Sequence, residues 1–257
     1  MPSLVAAGRS LNYAWIGREQ GGPVLVFLHE GLGSIGQWRD FPAKLAGATG
    51  CRALVYDRYG HGQSDVLAEP RRSVRFMHDE ALVALPELTK ALQLENPILV
   101  GHSDGASIAL IHAGAGAGHA VRGVVAMAPH VFIEPLCLSS IEKAADAFER
   151  TDLAPRLGRY HRDARKTFYG WADVWLDPEF KRWDIRADYL PGVRCPVLAI
   201  QGHDDEYGTM AQLDEIKARV SGPCELRKLE NCGHAPFRDQ PEKVLEHTVA
   251  FLAPLLK

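Results

Sequence analysis

A serine flanked by glycines is the residue in this chain with the clearest chemistry. Residues 101–105 read Gly-His-Ser-Asp-Gly, and they stand between an apolar run at 97–100 and an Ala/Ile/Leu-rich stretch that begins at Ala106. A Gly-x-Ser-x-Gly turn between a strand and a helix raises the serine hydroxyl out of the backbone and points the positive end of the helix at it. The pattern therefore predicts that Ser103 is a nucleophile.

A serine hydroxyl is a weak nucleophile at neutral pH, so it needs a base and a third group that orients the base. His234 follows the last predicted strand and is the predicted base. The third group is expected in the acidic run Asp204, Asp205 and Glu206, which follows an earlier strand. Nucleophile, acid and histidine then occur in the chain order typical of this strand–turn–helix architecture. From the residues alone, Asp205 and Asp204 both remain candidates.

The elements that would position these residues alternate along the chain. Short apolar runs predict strands, and longer stretches with helical spacing predict helices. The predicted strands are residues 11–16, 24–28, 53–56, 97–100, 121–128, 196–200 and 225–229, and the predicted helices are residues 38–48, 76–94, 103–115 and 241–256. This alternation predicts an α/β fold, in which a mostly parallel sheet has helices on both faces.

Residues 133–190 interrupt the alternation. The segment is charged, contains three of the chain's five tryptophans and reads as several short helices. We expect a helical lid here, inserted into a core formed by residues 1–132 and 191–257. Trp171 and Trp175 are interpreted as apolar residues beneath the lid, with contact to the substrate as the alternative.

Five motifs together resemble the α/β-hydrolase superfamily, in particular its lidded esterase-like and lipase-like members. They are residues 28–33 (Leu-His-Glu-Gly-Leu-Gly), residues 56–64 (Tyr-Asp-Arg-Tyr-Gly-His-Gly-Gln-Ser), residues 101–105, Gly202-x-x-Asp205 and Gly233-His234. The resemblance covers nearly the whole chain except the lid. It implies the α/β-hydrolase fold, and it favours Asp205 as the acid because the family's acid lies three residues after the glycine that ends the strand.

The resemblance also implies an oxyanion hole made by two backbone N–H groups. The predicted donors are Gly31 and Asp104, the second of which directly follows the nucleophile. The family's first loop usually has glycine after its histidine, whereas here Glu30 follows His29. The departure places a carboxylate beside the predicted hole, and Glu30 is a candidate contact for the substrate.

Two charged features leave the charge of the substrate open. The Asp104 carboxylate would pair with a substrate ammonium or, alternatively, with backbone N–H groups or a lid arginine. A basic stretch in the lid is interpreted as a solvated helix face, with recognition of an anionic substrate as the alternative. Its members are Arg156, Arg159, Arg162, Arg165 and Lys166.

The composition narrows the class of protein. The chain has 257 residues, of which 29 are basic and 32 acidic, for a net charge of −3. Neither nucleic acid nor an anionic membrane is therefore expected as a partner. No signal segment, membrane span or metal-ligand spacing is predicted. The five scattered cysteines suit reduced thiols in the cytoplasm, and we expect a monomer or homodimer without a cofactor.

These observations predict a serine hydrolase that cleaves a small carboxylic ester through an acyl-enzyme. The same residues would serve hydrolysis of a carbon–carbon bond in a diketone-type product of aromatic degradation, or of a thioester or lactone. A different class, a ligand-binding module on the same fold without turnover, also remains open. Haloalkane and epoxide chemistry is disfavoured, because relatives with those activities have aspartate at the position of Ser103.

Overall fold

One sheet of eight strands runs through the parts of the chain that the computed structural model describes, residues 1–17, 22–116 and 120–257. The strands are β1 (Ser3–Ala6), β2 (Arg9–Ile16), β3 (Val24–Leu28), β4 (Arg52–Tyr56), β5 (Ile98–His102), β6 (Gly123–Met127), β7 (Val197–Gly202) and β8 (Cys224–Leu229). Their order across the sheet is β1-β2-β4-β3-β5-β6-β7-β8. β1, β2 and β4 pair antiparallel, and all pairs from β4 to β8 are parallel.

The helices of the described residues alternate with these strands. They are α1 (Phe41–Thr49), α2 (Phe76–Asp79), α3 (Leu85–Ala91), α4 (Asp104–Gly114), α5 (Pro135–Arg150), α6 (Leu153–Leu157), α7 (Ala164–Leu176), α8 (Ala211–Arg219), α9 (Pro236–Asp239) and α10 (Pro241–Leu252). None of them is long and apolar enough to cross a membrane. The mostly parallel sheet with flanking helices confirms the predicted α/β fold.

The two largest differences between the predicted and the observed helices are interruptions. The helix expected at residues 38–48 begins only at Phe41, because the backbone of Arg39 has a φ of +55° and ends a short 3₁₀ turn. The helix expected at residues 76–94 is divided by a π-helical turn at Glu80–Ala84 and ends at Ala91. The predictions were wrong at these points because the apolar spacing continues through both interruptions.

The central strands are buried on both faces, which explains why they read as continuous apolar runs. All five residues of β5 and of β6 are buried. One large apolar cluster includes Leu28, residues of α4 and the aromatic residues of α7. A second cluster, on other side chains of the same strands, includes Trp38 and residues of α10. Burial from both sides fixes the strand ends on which the candidate site depends.

The carboxyl ends of the parallel strands meet at one edge of the sheet, where open α/β sheets bind ligands. Leu28 at the end of β3 pairs with Gly101 of β5, and His102 pairs with Met127 of β6. The chain between β6 and β7 contains α5, α6 and α7, and α5 packs against α7. These three inserted helices occupy the segment predicted to form a lid.

Candidate active site

A strained turn at the carboxyl end of β5 presents Ser103. Its φ is +52°, in the left-handed region that residues other than glycine rarely adopt. Its N–H donates to the carbonyl of Met127 at 2.9 Å. Gly105 lies so close to the end of β3 that a Cβ there would collide with the carbonyl oxygen of Leu28. This is the geometry expected of a nucleophile elbow.

The predicted nucleophile, base and acid lie together. His234 Nε2 is 2.9 Å from the Ser103 hydroxyl oxygen, and His234 Nδ1 is 2.8 Å from Asp205 Oδ1. The Asp205 carboxylate is buried and also accepts from the Tyr207 N–H at 2.8 Å. Asp204 is exposed, and its backbone N–H donates to the carbonyl of Cys232. Of the two aspartates, the structure brings Asp205 to the histidine.

The electrostatics of this triad favour a charged pair. Burial alone would raise the pKa of Asp205, but its hydrogen bond to His234 and the charge of that ring hold the pKa below its ordinary value. Burial alone would lower the pKa of His234, but the hydrogen bond and charge of Asp205 outweigh it and the pKa is raised. An imidazole with this partner accepts a proton readily and is stabilised once it carries one.

The two predicted oxyanion-hole donors belong to the loop after β3 and to the start of α4. Among the described residues, no group accepts a hydrogen bond from the N–H of Gly31 or of Asp104. The Gly31 carbonyl is held by His61 Nε2 at 2.9 Å. A Cβ on Gly31 would collide with the indole of Trp171. The packing of Trp171 against the loop therefore leaves room only for glycine at this position.

The side chain of Asp104 points away from solvent toward a buried arginine. Its Oδ2 lies 3.8 Å from Arg58 Nη2, and both side chains are 1% exposed. Burial raises the pKa of Asp104, whereas the charges of Arg58 and Arg72 act in the opposite direction. The indole N–H of Trp175 also acts to lower the pKa of Asp104, but among the described residues neither carboxylate oxygen has a partner that meets hydrogen-bond geometry. The cation beside Asp104 thus comes from the loop after β4 and not from the inserted helices.

We expect Asp104→Asn to lower kcat/KM by a similar factor on α-amino esters and on uncharged esters of equal size. The reason is that the carboxylate faces Arg58 and lies outside the lining of the cavity at Ser103. The ratio of the two kcat/KM values, in the wild type and in the variant, is the measurement. A loss confined to the amino ester would instead assign Asp104 to a substrate ammonium.

The basic stretch of the inserted helices is exposed. Its members Arg156, Arg159, Arg162, Arg165 and Lys166 all lie at the surface. Arg156 pairs with Asp152 at 3.4 Å, and Arg165 pairs with Glu149 at 3.0 Å. Pairs of this kind at the surface contribute little to stability. The arrangement agrees with the interpretation as a solvated face.

A small, largely apolar cavity lies directly above Ser103. Its volume is about 90 Å³, and four of the residues that line it belong to the inserted helices α5 and α7. The lining residues are Glu30, Gly31, Leu32, Ser103, His130, Cys137, Ile141, Trp171, Trp175, Tyr207 and His234. The three candidate substrate contacts, Glu30, Trp171 and Trp175, are therefore all placed at the cavity. A larger cavity of about 390 Å³, beside Phe76 and Glu80, contains none of the triad.

The cavity also contains residues that the sequence analysis did not single out. Cys137 and Ile141 come from α5, and Tyr207 follows Asp205 by two residues. His130 follows β6, and burial lowers its pKa to about 3, so its ring stays neutral beside His234. A position just after a predicted strand at the carboxyl edge was the available signal for His130. Within the described ranges, no three His, Cys, Asp or Glu side chains are grouped to hold a metal ion.

Fold and site define an α/β hydrolase, and comparison with known proteins agrees. Residues 25–247 match the model of the Alpha/beta hydrolase family, and the chain belongs to that family. A non-heme chloroperoxidase from Streptomyces lividans is 26% identical over 275 residues, with 95% of this chain and 96% of that protein covered.

Two solved structures illustrate the shared fold. VinJ superimposes with a TM-score of 0.77 at 22% identity, over 99% of this chain and 98% of VinJ. An enol-lactonase from Burkholderia xenovorans LB400 superimposes with a TM-score of 0.73 at 20% identity, over 98% of this chain and 100% of that chain. At such identities the likeness establishes the fold, and the substrate must be argued from the site.

Proposed function

We propose that the protein hydrolyses small carboxylic esters through an acyl-enzyme on Ser103. The observation that carries the proposal is the continuous relay from Ser103 through His234 to Asp205, with hydrogen bonds of 2.9 and 2.8 Å, at the floor of the cavity. Each contact lies within the range needed for proton transfer between a nucleophile and its base.

The proposed reaction has two halves. Ser103 Oγ attacks the ester carbon while His234 Nε2 takes the hydroxyl proton, and the N–H groups of Gly31 and Asp104 bind the oxyanion. The intermediate then expels the alcohol, whose oxygen receives that proton from His234. In the second half, His234 takes a proton from water, the hydroxide oxygen attacks the acyl carbon, and Ser103 leaves with its proton restored. Asp205 stabilises the imidazolium that forms in both halves.

The residues that line the cavity favour a substrate with a short, uncharged acyl group. The lining includes no lysine or arginine, and its one carboxylate outside the triad is Glu30. A carboxylate-bearing or phosphate-bearing acyl group would enter without a cation to pair with, which is costly in a partly desolvated site. The volume of about 90 Å³ similarly favours an acyl chain of a few carbons.

We expect p-nitrophenyl acetate and butyrate to be turned over with kcat/KM at least ~10-fold above the octanoate, because each misfitted methylene costs roughly 1 kcal/mol or more. The absorbance of released p-nitrophenol at about 400 nm is followed from the first milliseconds. The initial burst measures acylation, and the later linear phase measures steady-state turnover. The inactive Ser103→Ala variant, measured alongside, corrects for spontaneous hydrolysis.

The same substrate panel separates the alternatives. Lactones, thioesters and a diketone-type carbon–carbon substrate are measured beside the esters, since one relay serves all of these bonds. A kcat/KM for one of them well above that of every ester would replace the proposed ester specificity. Absence of both a burst and turnover on the whole panel would favour a ligand-binding module.

A further inference from the structure

His102, the residue before the nucleophile, contacts two other loops of the site. Its Nε2 lies 2.6 Å from the main-chain carbonyl oxygen of His234. Its Nδ1 lies 3.4 Å from Glu30 Oε2. The two partners are 132 and 72 residues away along the chain. One buried ring thus connects the loop after β3, the nucleophile elbow and the loop that carries the base.

The orientation of this ring is set by packing. The His102 side chain is 3% exposed. The ring of Phe237 meets it edge to face with centroids 5.2 Å apart, and Trp38 meets it at 6.3 Å. The carbonyl oxygen of His234 can only accept, so His102 Nε2 donates to it and Nδ1 faces Glu30. The ring thus bridges a carboxylate of one loop and a main-chain carbonyl of another.

The Glu30 carboxylate contacts this ring at the edge of the cavity. Its side chain is 19% exposed and lines the cavity at Ser103. Burial alone would raise the pKa of Glu30, but the hydrogen bond and charge of His102 lower it to about 2. The carboxylate is therefore ionised at neutral pH. Its charge acts on His234 in the direction that raises the pKa of that imidazole.

We propose that Glu30 and His102 are positioning residues that hold the His234 loop against the elbow and place a carboxylate near the His234 ring. The proposal rests on the proposed function of Ser103 as nucleophile. It gives a reason for glutamate at a position where the family usually has glycine. Other titratable groups also face His234 from the packed elements. They are Asp205, Glu206 and Tyr207 after β7, His130 after β6, and His102 on β5.

The test measures the pH dependence of Ser103 labelling by a fluorophosphonate, which depends on the base but not on the natural ester. Neutral His234 is the active form, so labelling is lost as the pH falls through its pKa. Glu30→Gln removes a negative charge and lowers that pKa. We expect the acidic midpoint to move about 0.5 unit toward lower pH, and the plateau rate to fall ~10-fold as the loop loses its link.

Glu206→Gln is the matched control, because the charge of Glu206 also raises the pKa of His234, whereas no hydrogen bond or ion pair among the described residues joins the exposed Glu206 side chain to His102. We expect its acidic midpoint to move in the same direction as that of Glu30→Gln, by less at 0.15 M salt because exposed charges are screened, and its plateau rate to stay within about twofold of the wild type because the link through His102 is intact. His102→Gln keeps a donor for the His234 carbonyl, whereas His102→Ala removes it. The glutamine variant should retain a larger share of the plateau rate, and adding Glu30→Gln to His102→Ala should cost little more.

Three outcomes overturn the proposal: an unmoved midpoint in Glu30→Gln, equal rates for the two His102 variants, or losses in the double variant that equal the product of the single losses. If a variant fails to fold, ¹⁵N NMR of the wild type decides instead. An Nε2 proton of His102 that is shifted downfield and protected from exchange supports the link to the His234 carbonyl, and an Nε2 without a proton contradicts it. Absence of any labelling of the wild type would contradict the proposed nucleophile itself, which is a separate result.

Discussion

Ser103→Ala is expected to abolish labelling by an organophosphonate probe and to lower ester kcat by about 10⁴- to 10⁶-fold. The substitution deletes the hydroxyl oxygen of Ser103, which lies 2.9 Å from His234 Nε2. The alanine keeps the backbone of the turn, whose φ of +52° is the same strain for both side chains. We therefore expect the free energy of unfolding to change by less than about 1 kcal/mol. Probe labelling detected by mass spectrometry and thermal unfolding measure the two effects.

Ser107→Ala is the matched control for this prediction. Ser107 lies one turn further along α4, and its buried hydroxyl donates to the carbonyl of His130 at 2.6 Å without contacting His234. It also accepts from the His130 N–H at 3.1 Å. Losing these bonds should cost about 1–2 kcal/mol of stability while labelling persists. A Ser103→Ala protein that is still labelled at another residue would refute the nucleophile assignment.

The parts of the site that sequence analysis predicted depend on short-range signals. The elbow is one continuous pentapeptide between a strand and a helix. Neighbouring residues therefore determine both its chemistry and its geometry. The resemblance to the family favoured Asp205 over Asp204, which the residues alone left open, and in the structure Asp205 Oδ1 lies 2.8 Å from His234 Nδ1. Parallel strands then bring these separate loops to one edge, which is a consequence of the fold class alone.

The parts that sequence analysis missed depend on packing between distant loops. The partner of Asp104 was expected to be substrate, backbone or a lid arginine, and the structure supplies Arg58 instead. Arg58 is directed inward because the loop after β4 is tied to the loop after β3, where Arg58 Nη2 donates to the Glu30 carbonyl at 2.9 Å. Neither hydrophobic periodicity nor motif spacing predicts a contact between such distant loops. For the same reason the sequence did not predict the link through His102.

The interruptions of the helices were missed for another reason. The π-helical turn at Glu80–Ala84 continues an apolar spacing that suits an ordinary helix. Glu80 is buried in this turn and accepts a hydrogen bond from the Tyr56 hydroxyl at 2.6 Å. Burial raises the pKa of Glu80, so the protein carries a carboxyl group that the interior disfavours in its charged form. A polar contact of this kind is specified by tertiary structure, and π-turns often occur near functional sites.

Asp205→Asn is expected to lower kcat by about 10⁴-fold, whereas Asp204→Asn should stay within about threefold of the wild type. Asp205 accepts from His234 Nδ1 and so holds the ring with its unprotonated Nε2 toward Ser103. An asparagine amide at that place favours the opposite tautomer and carries no charge to stabilise the imidazolium. Asp204→Asn makes the same substitution at the neighbouring, exposed position. This variant therefore controls for disturbance of the loop.

The pH profile distinguishes a lost carboxylate from a distorted loop. In the wild type the raised pKa of His234 sets the acidic limit of activity, and the hydrogen bond and charge of Asp205 hold that pKa up against burial. Without the carboxylate, burial dominates and the pKa falls, so the residual activity of Asp205→Asn should extend to lower pH than that of the wild type. Asp204→Asn should keep the wild-type limit. If Asp204→Asn is the inactive variant, or if Asp205→Asn retains the wild-type limit, the acid of the triad is not Asp205.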